Sequence, residues 1–231
     1  MQKHIIITGA SRGIGFETAK FLAHKNHTLT VIARSEEKLK LLKDVAPDLI
    51  HVLVADLTKK ESIKKISDHL TRNQFKIDGL INNAGLLINQ PFLDQSDEDW
   101  HHQLEVNLMA PVRLIRELVT FFNYGSHILN IGSMGGFQGS SKFPGLTAYS
   151  VSKGALSILT ECLSVELADK NISSNCLCLG AVQTEMLENA FPGMEAPVAP
   201  EEMGEFVGTF VLNNHKFYNG RVLPVALNDP T

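Results

Sequence analysis

The sequence predicts a doubly wound α/β fold, a mostly parallel sheet with helices on both faces. Short apolar, β-branched runs alternate with amphipathic helical stretches along nearly all of the 231 residues. Those runs are apolar throughout rather than at every second position, which means burial on both faces, as in a parallel sheet between two helix layers. The regular strand-then-helix order implies right-handed crossovers.

The strand runs are His4–Thr8, Thr28–Ala33, Ile50–Ala55, Gly79–Asn82, His127–Ile131, Ser174–Leu179 and Val222–Ala226. Helical patterns lie near residues 14–25, 36–45, 60–74, 97–122, 148–169 and 200–212. Ser96, followed by Asp97, Glu98 and Asp99, supplies a cap and first-turn acids for the helix that begins there. The least regular stretch, Thr184 to Pro200, contains Pro192, Gly193 and Pro197. It reads as a loop with a short helix, the kind of segment that covers sites. No linker, repeat or low-complexity segment interrupts the pattern, so residues 1–231 read as one domain.

Composition narrows the function classes. A net charge of −4 without charge runs gives no footprint for nucleic acid and no polybasic membrane anchor. No run approaches the roughly 18 apolar residues of a membrane helix, and a strand beginning at His4 leaves no room for a signal peptide. Cys162, Cys176 and Cys178 offer no zinc spacing and read as buried, reduced thiols, the last two on one face of a strand. The histidines lack zincin spacing, so no metal is expected, and no G-x-S-x-G elbow is present for a serine hydrolase. A reducing cytoplasm is the expected location.

Three motifs carry chemistry. Thr8-Gly9-Ala10-Ser11-Arg12-Gly13-Ile14-Gly15 follows the first strand and opens the first helix. Taken alone it can be a structural turn; placed here, its glycines let backbone approach a pyrophosphate that the helix N-terminus attracts. An NAD site usually ends its second strand with a carboxylate for the ribose. Here that strand ends Ala33-Arg34-Ser35, and Glu36 falls inside the next helix. Arg34 and Arg12, unless merely surface arginines, can clamp a 2′-phosphate. The expected cofactor is NADP(H), with NAD(H) second.

Tyr149 and Lys153 lie one helical turn apart on one face. A phenol is a poor base at neutral pH because its reference pKa is about 10. A neighbouring ammonium favours phenolate and would lower that value, fitting the tyrosine to exchange a proton with an alcohol or alkoxide. Ser133 ends a strand at the carboxyl edge, where open α/β sheets bind ligands, and can hydrogen-bond a carbonyl oxygen.

Further pieces recur at strand ends. Asp56-Leu57 follows the third strand, where the aspartate can sit by adenine, and Asn82-Asn83-Ala84-Gly85 follows the fourth. Asn107 is out of place by propensity inside the long helical run. Its side chain can hold a relay water or kink the helix; otherwise it is a capping or packing residue.

Together these residues resemble the short-chain dehydrogenase/reductase family, in the right order over most of the chain. The resemblance implies a seven-stranded Rossmann-type sheet and a catalytic Asn107, Ser133, Tyr149, Lys153 set. Tyr149 is then the acid/base, Ser133 orients the carbonyl, Lys153 binds the nicotinamide ribose and lowers the tyrosine pKa, and Asn107 anchors the water. It places Gly9, Ser11, Arg12, Gly13, Ile14, Gly15, Arg34, Asp56, Leu57, Asn83, Ala84, Gly85, Tyr149, Lys153, Val182 and Thr184 at the cofactor. Family members are commonly homodimers or homotetramers, built through the helices carrying Asn107 and Tyr149.

Three departures stand out. Leu179-Gly180 replaces the family's Pro-Gly, Glu185 to Val198 is short for a substrate lid, and Pro224 to Asn228 lacks the usual acidic-glycine tail. Leu86, Leu87, Met134, Phe137, Phe143, Leu146, Met186, Leu187 and Phe191 are candidates for the pocket, or else plain core. Their apolar character implies a small, mostly apolar aldehyde or ketone. The expected function is carbonyl–alcohol interconversion by hydride transfer; the alternative is a non-catalytic, dinucleotide-sensing regulator on the same fold.

Overall fold

The computed structural model describes residues 1–227; of the Pro224 to Asn228 stretch noted above, only Asn228 lies outside them. Seven parallel strands form one sheet in the order β3-β2-β1-β4-β5-β6-β7. They are β1 His4–Thr8, β2 Thr28–Ala33, β3 Ile50–Val54, β4 Ile77–Asn82, β5 Phe122–Ser133, β6 Ser173–Leu179 and β7 Arg221–Val225. The helices are α1 Gly13–His24, α2 Glu36–Val45, α3 Lys60–Arg72, α4 Asp97–Leu104, α5 Ala110–Leu118, α6 Thr147–Glu166, α7 Glu185–Ala190 and α8 Pro200–Asn213.

The continuous apolar runs behave as their composition requires. Ile5 and Ile7 face a layer formed by α1, α2 and α8, with Leu22, Leu39, Val207 and Phe210 in its core. Ile6 and Ile32, with the opposite parity, face Ile66, Leu70, Leu114 and Leu118 on α3 and α5. Each of these side chains is essentially removed from water, a gain of about 1.5–3 kcal/mol apiece relative to exposure. Among the described residues, no helix is long and apolar enough to cross a membrane.

The order reverses between β1 and β4, whose carboxyl ends therefore bound the crevice where such sheets take ligands. The turn after Thr8 and the run after Asn82 both emerge there.

Two expectations need correcting. The single helix expected over 97–122 is broken. α4 starts on Ser96, whose hydroxyl accepts from Asp99 N (3.1 Å) while Asp99 Oδ2 accepts from Ser96 N (3.0 Å). It ends at Leu104, a π-turn spans Glu105–Met109, and α5 then runs only to Leu118, leaving β5 to begin at Phe122. The break has a sequence cause: Pro111 has no N–H to give the Asn107 carbonyl four residues earlier. The second correction is Cys162, which is exposed while Cys176 and Cys178 are buried. It shares the outer stripe of α6 with exposed Ile158 and Val165, at spacings that repeat one helix face.

Candidate active site

The glycine-rich turn is shaped by the absence of side chains. Gly9 and Gly13 have φ of +67° and +56°, a region disfavoured for residues with a Cβ. A Cβ on Gly9 would stand 2.7 Å from Ala84 Cα, and one on Gly15 would collide with the Asn83 side chain. Thr8 ties the turn to the run after β4: its Oγ1 accepts from Asn83 N and Ala84 N, both at 3.0 Å. Asn83 Nδ2 donates back to the carbonyls of Thr8 (3.0 Å) and Gly9 (3.2 Å). Ser11 lies in the turn, and Ile14 packs against the core beneath it.

The first turn of α1 holds no acidic residue and no side chain caps it, with Arg12 in the cap position. Its free N–H groups and positive dipole end face outward over backbone that comes close because no Cβ intervenes, the arrangement a pyrophosphate requires. The residues present fit a dinucleotide.

Around the turn, Arg34 is exposed at the end of β2. Burial would raise the Asp56 carboxyl, but hydrogen bonds from Thr58 N (3.0 Å) and Thr58 Oγ1 (2.8 Å), with Arg34 nearby, hold it below the usual carboxylate range. Leu57 packs toward the core beside Ala55. Glu36 is engaged by Lys40 at 2.8 Å along α2. Arg12 donates to Glu185 at 2.7 Å.

On the other side of the crevice, Tyr149, Ser152 and Lys153 are buried on α6 against the end of β5. Ser133 Oγ accepts from Gly135 N (3.2 Å) and stands close enough to the phenol to favour its ionised form. Burial pushes the phenol up to about 12, outweighing the lowering influence of Ser133. Here the sequence reading is amended: Lys153 Nζ lies 5.8 Å from the centre of the tyrosine ring, and the protein's own groups do not bring that value down. Burial also lowers Lys153, to about 8, against the opposing influence of Cys176 and Cys178. One of its three donors goes to the Ile131 carbonyl at 2.8 Å.

Asn107 is fully buried. Its Oδ1 accepts from Leu86 N (2.8 Å), and its Nδ2 donates to Leu86 O (2.8 Å) and Ser152 Oγ (2.9 Å). Both side-chain donors are thus engaged, so the side chain positions backbone rather than holding a water. A Cβ on Gly85 would stand 3.4 Å from both Asn107 Oδ1 and Lys153 Nζ, so these three elements converge on one spot.

Two residues of this arrangement escaped the sequence reading. Gln103, also fully buried, accepts from Ile88 N at 3.0 Å through Oε1. It lies one turn before Asn107 on the same face, and an i, i+4 pair of amides on a helix was the available signal. Ser152, the internal serine of Tyr149-Ser150-Val151-Ser152-Lys153, anchors Asn107 and was legible only as spacing.

The cover over the crevice is α7. Thr184 caps it, accepting from Leu187 N at 3.3 Å, and its Cγ2 lies 3.2 Å from where a Cβ on Gly13 would be. Val182 is buried and bridges to Val198, closing the base of the 182–198 segment. Of the apolar pocket candidates, Met134 packs with Cys176, Cys178, Phe137 and Val222 as ordinary core. Met134 and Phe137 also line a cavity of about 350 Å³ with Pro224 and Ala226. At Leu179-Gly180 the chain stays close to β7: Gly180 N donates to Val225 O at 2.8 Å.

Comparison with known proteins agrees with this geometry. The short chain dehydrogenase family model matches residues 3–195. Nodulation protein G of Rhizobium sp. (strain N33) is 33% identical over 79% of this chain and 74% of its own length. Carbonyl reductase family member 4 of Danio rerio is 29% identical over 89% and 86% respectively. Among solved structures, a dehydrogenase/reductase from Sinorhizobium meliloti 1021 superposes with a TM-score of 0.88 at 24% identity, covering 99% of this chain and 95% of its own. A 3-ketoacyl-(acyl-carrier-protein) reductase from Brucella melitensis, complexed with NADH, gives 0.86 at 23% identity over 96% of each chain. The chain belongs to the short chain dehydrogenase family, oxidoreductases that work with a nicotinamide dinucleotide.

Proposed function

We propose that this protein interconverts an aldehyde or ketone and its alcohol by hydride transfer, with NADP(H) as cofactor and Tyr149 as the general acid/base. The observation that carries the reading is the convergence of Tyr149, Ser133 and Lys153 at the carboxyl edge, facing a glycine-lined turn and an uncapped helix end. When bound, the nicotinamide supplies or accepts the hydride. The turn from Gly9 to Gly15 holds the pyrophosphate through backbone N–H groups. Arg12 and Arg34 hold the 2′-phosphate, and engagement of Glu36 by Lys40 supports that assignment because it leaves no carboxylate for the ribose at the end of β2.

In reduction the Ser133 hydroxyl orients the carbonyl oxygen. As negative charge develops there, Tyr149 gives up its phenolic proton, so the carbonyl carbon gains hydride and the oxygen gains H⁺. A phenol held near 12 is protonated at neutral pH, and an alkoxide is a much stronger base than a phenolate, so the transfer runs downhill. Two donors of the Lys153 ammonium remain for the nicotinamide ribose. With both side-chain donors of Asn107 engaged, we assign its backbone carbonyl, which receives no N–H from Pro111, to the relay water.

The apolar character of the pocket candidates, with Met134 and Phe137 lining a cavity beside Pro224 and Ala226, favours a small apolar carbonyl compound. A soluble, cytoplasmic homo-oligomer joined through α6 completes the reading, supported by the exposed stripe Val151, Ile158 and Val165. The test is NADPH oxidation against a panel of aldehydes, ketones and oxoacyl thioesters. Turnover of apolar carbonyls with NADPH is expected. Turnover with NADH alone overturns the cofactor assignment, and turnover of acidic substrates alone overturns the substrate class.

A further inference from the structure

Glu185 opens α7, and its carboxylate joins three separate parts of the fold. It accepts from Arg12 Nη1 at 2.7 Å, in the cap of α1, and from Lys38 Nζ at 3.2 Å, in the first turn of α2. At the far end of α7, the Ala190 carbonyl accepts from Asn89 Nδ2 at 2.8 Å. The base of the segment is closed by Gln183 N to Val198 O (2.9 Å) and by Ala196 N to Gln183 Oε1 (2.7 Å). So α7 lies as a strap from the glycine-rich turn to the Asn89 segment, and Glu185 fastens its cofactor end.

The fastening uses cations that the cofactor needs. Lys38 follows the end of β2, where Arg34 stands, and Arg12 lies in the turn that hydrogen-bonds the end of β2 through Gly9 N to Ile32 O (2.8 Å); the anion between Arg12 and Lys38 is the protein's own. We propose that Glu185 is a specificity-determining residue: its carboxylate occupies the seat that the 2′-phosphate of NADP(H) takes, so that the phosphate displaces it and unfastens α7, whereas NAD(H), lacking that group, leaves the strap closed. This rests on the NADP(H) assignment above. The exchange has a favourable direction. The Arg12–Glu185 and Lys38–Glu185 pairs are about half exposed, and ion pairs in that setting are weak. A dianionic phosphate bonded by two guanidinium groups and an ammonium outcompetes one carboxylate. Competition for one seat also makes the coupling reciprocal: whatever loosens the strap tightens 2′-phosphate binding.

The experiment uses adenosine 2′,5′-bisphosphate and 5′-AMP as probes, since neither has a nicotinamide to order α7 through Thr184. In wild-type protein, hydrogen exchange across residues 185–191 is expected to quicken several-fold with the bisphosphate and to stay unchanged with 5′-AMP. In Glu185→Gln, exchange there is already fast and unresponsive to either nucleotide. That variant binds the bisphosphate about fivefold or more tightly than wild type, while 5′-AMP affinity is unaltered. If the bisphosphate binds wild type more tightly than 5′-AMP yet leaves exchange unchanged or slower, or if Glu185→Gln leaves bisphosphate affinity as it was, the clasp is wrong and the cofactor assignment stands. If wild type binds both nucleotides equally, the cofactor assignment itself fails.

Discussion

The two edges of the sheet bury titratable side chains with equal thoroughness and put them to different uses. At the amino edge, His4 sets its ring nitrogens against the Lys76 carbonyl (2.9 Å) and the Thr30 hydroxyl (2.8 Å). His127 does the same with the Val211 carbonyl (3.1 Å) and the Asn175 amide (3.0 Å). A neutral ring protonated on Nδ1 satisfies both environments. Burial pushes these imidazoles down, to about 4 and about 3. At the carboxyl edge burial also moves Tyr149 and Lys153 far from their ordinary values. There, however, the ammonium keeps donors to spare and the phenol stands beside Ser133 with no hydrogen bond of its own in place among the described residues. A strongly displaced pKa therefore does not separate a structural group from a reactive one. The number of partners already in place does.

The largest expected effect breaks the carboxyl edge. Tyr149→Phe removes the only proton the mechanism transfers, and turnover should fall by about 10³-fold or more, while NADPH titration by fluorescence gives a nearly unchanged Kd. Turnover within tenfold of wild type would mean that another group supplies the proton.

The second effect breaks the amino edge. His4 and His127 have folded-state values below that of an unfolded histidine, so unfolding takes up protons as pH falls. Their contribution is fully present above about pH 6.5 and is lost progressively as pH drops toward 4. Each tenfold weakening of proton binding is worth about 1.4 kcal/mol, so His4 alone contributes on the order of 3 kcal/mol that acid removes. Urea unfolding at pH 7.5, 6, 5 and 4.5 should show that decline. In His127→Gln the slope should be shallower, and an unchanged slope would place the acid sensitivity elsewhere.

A smaller effect concerns the cofactor seat. If Arg34 holds the 2′-phosphate as proposed, Arg34→Ala should weaken NADPH binding by about 10-fold, with NADH affinity unaffected. An equal loss for both cofactors would assign Arg34 to shape rather than to the phosphate.

The smallest effect separates core from surface. One thiol, Cys162, should react with a disulfide reagent in the native protein, and Cys176 and Cys178 only after unfolding. Mass spectrometry of the labelled peptide identifies the site, and native labelling of the β6 pair would contradict their burial.

How much of this was legible in the sequence follows the range of the interactions. The β1 and β2 boundaries and the Ser96 cap were readable because neighbouring residues decide them. The Gly9–Gly15 turn and the Tyr149–Lys153 spacing were readable for the same reason. The break at Glu105–Met109 was missed because a strong apolar period continues through it, although Pro111 marked the place. Cys162 was misplaced because an apolar side chain on a helix face that the sheet does not cover looks, in sequence, like one that it does. The contacts of Asn107 with Leu86 and Ser152, and of Glu185 with Arg12 and Lys38, link residues 21 to 173 positions apart. No local pattern encodes those.

The central claim is that Tyr149 protonates an oxygen whose carbon receives hydride from the cofactor. Its most direct test is a reduction of a small apolar ketone with NADPH dideuterated at the nicotinamide C4, analysed by mass spectrometry of the alcohol. Wild-type protein should place one deuterium on the carbinol carbon, and Tyr149→Phe should yield almost no labelled alcohol although the cofactor binds. Labelled alcohol formed by Tyr149→Phe at the wild-type rate, or wild-type alcohol without deuterium at that carbon, would contradict the account.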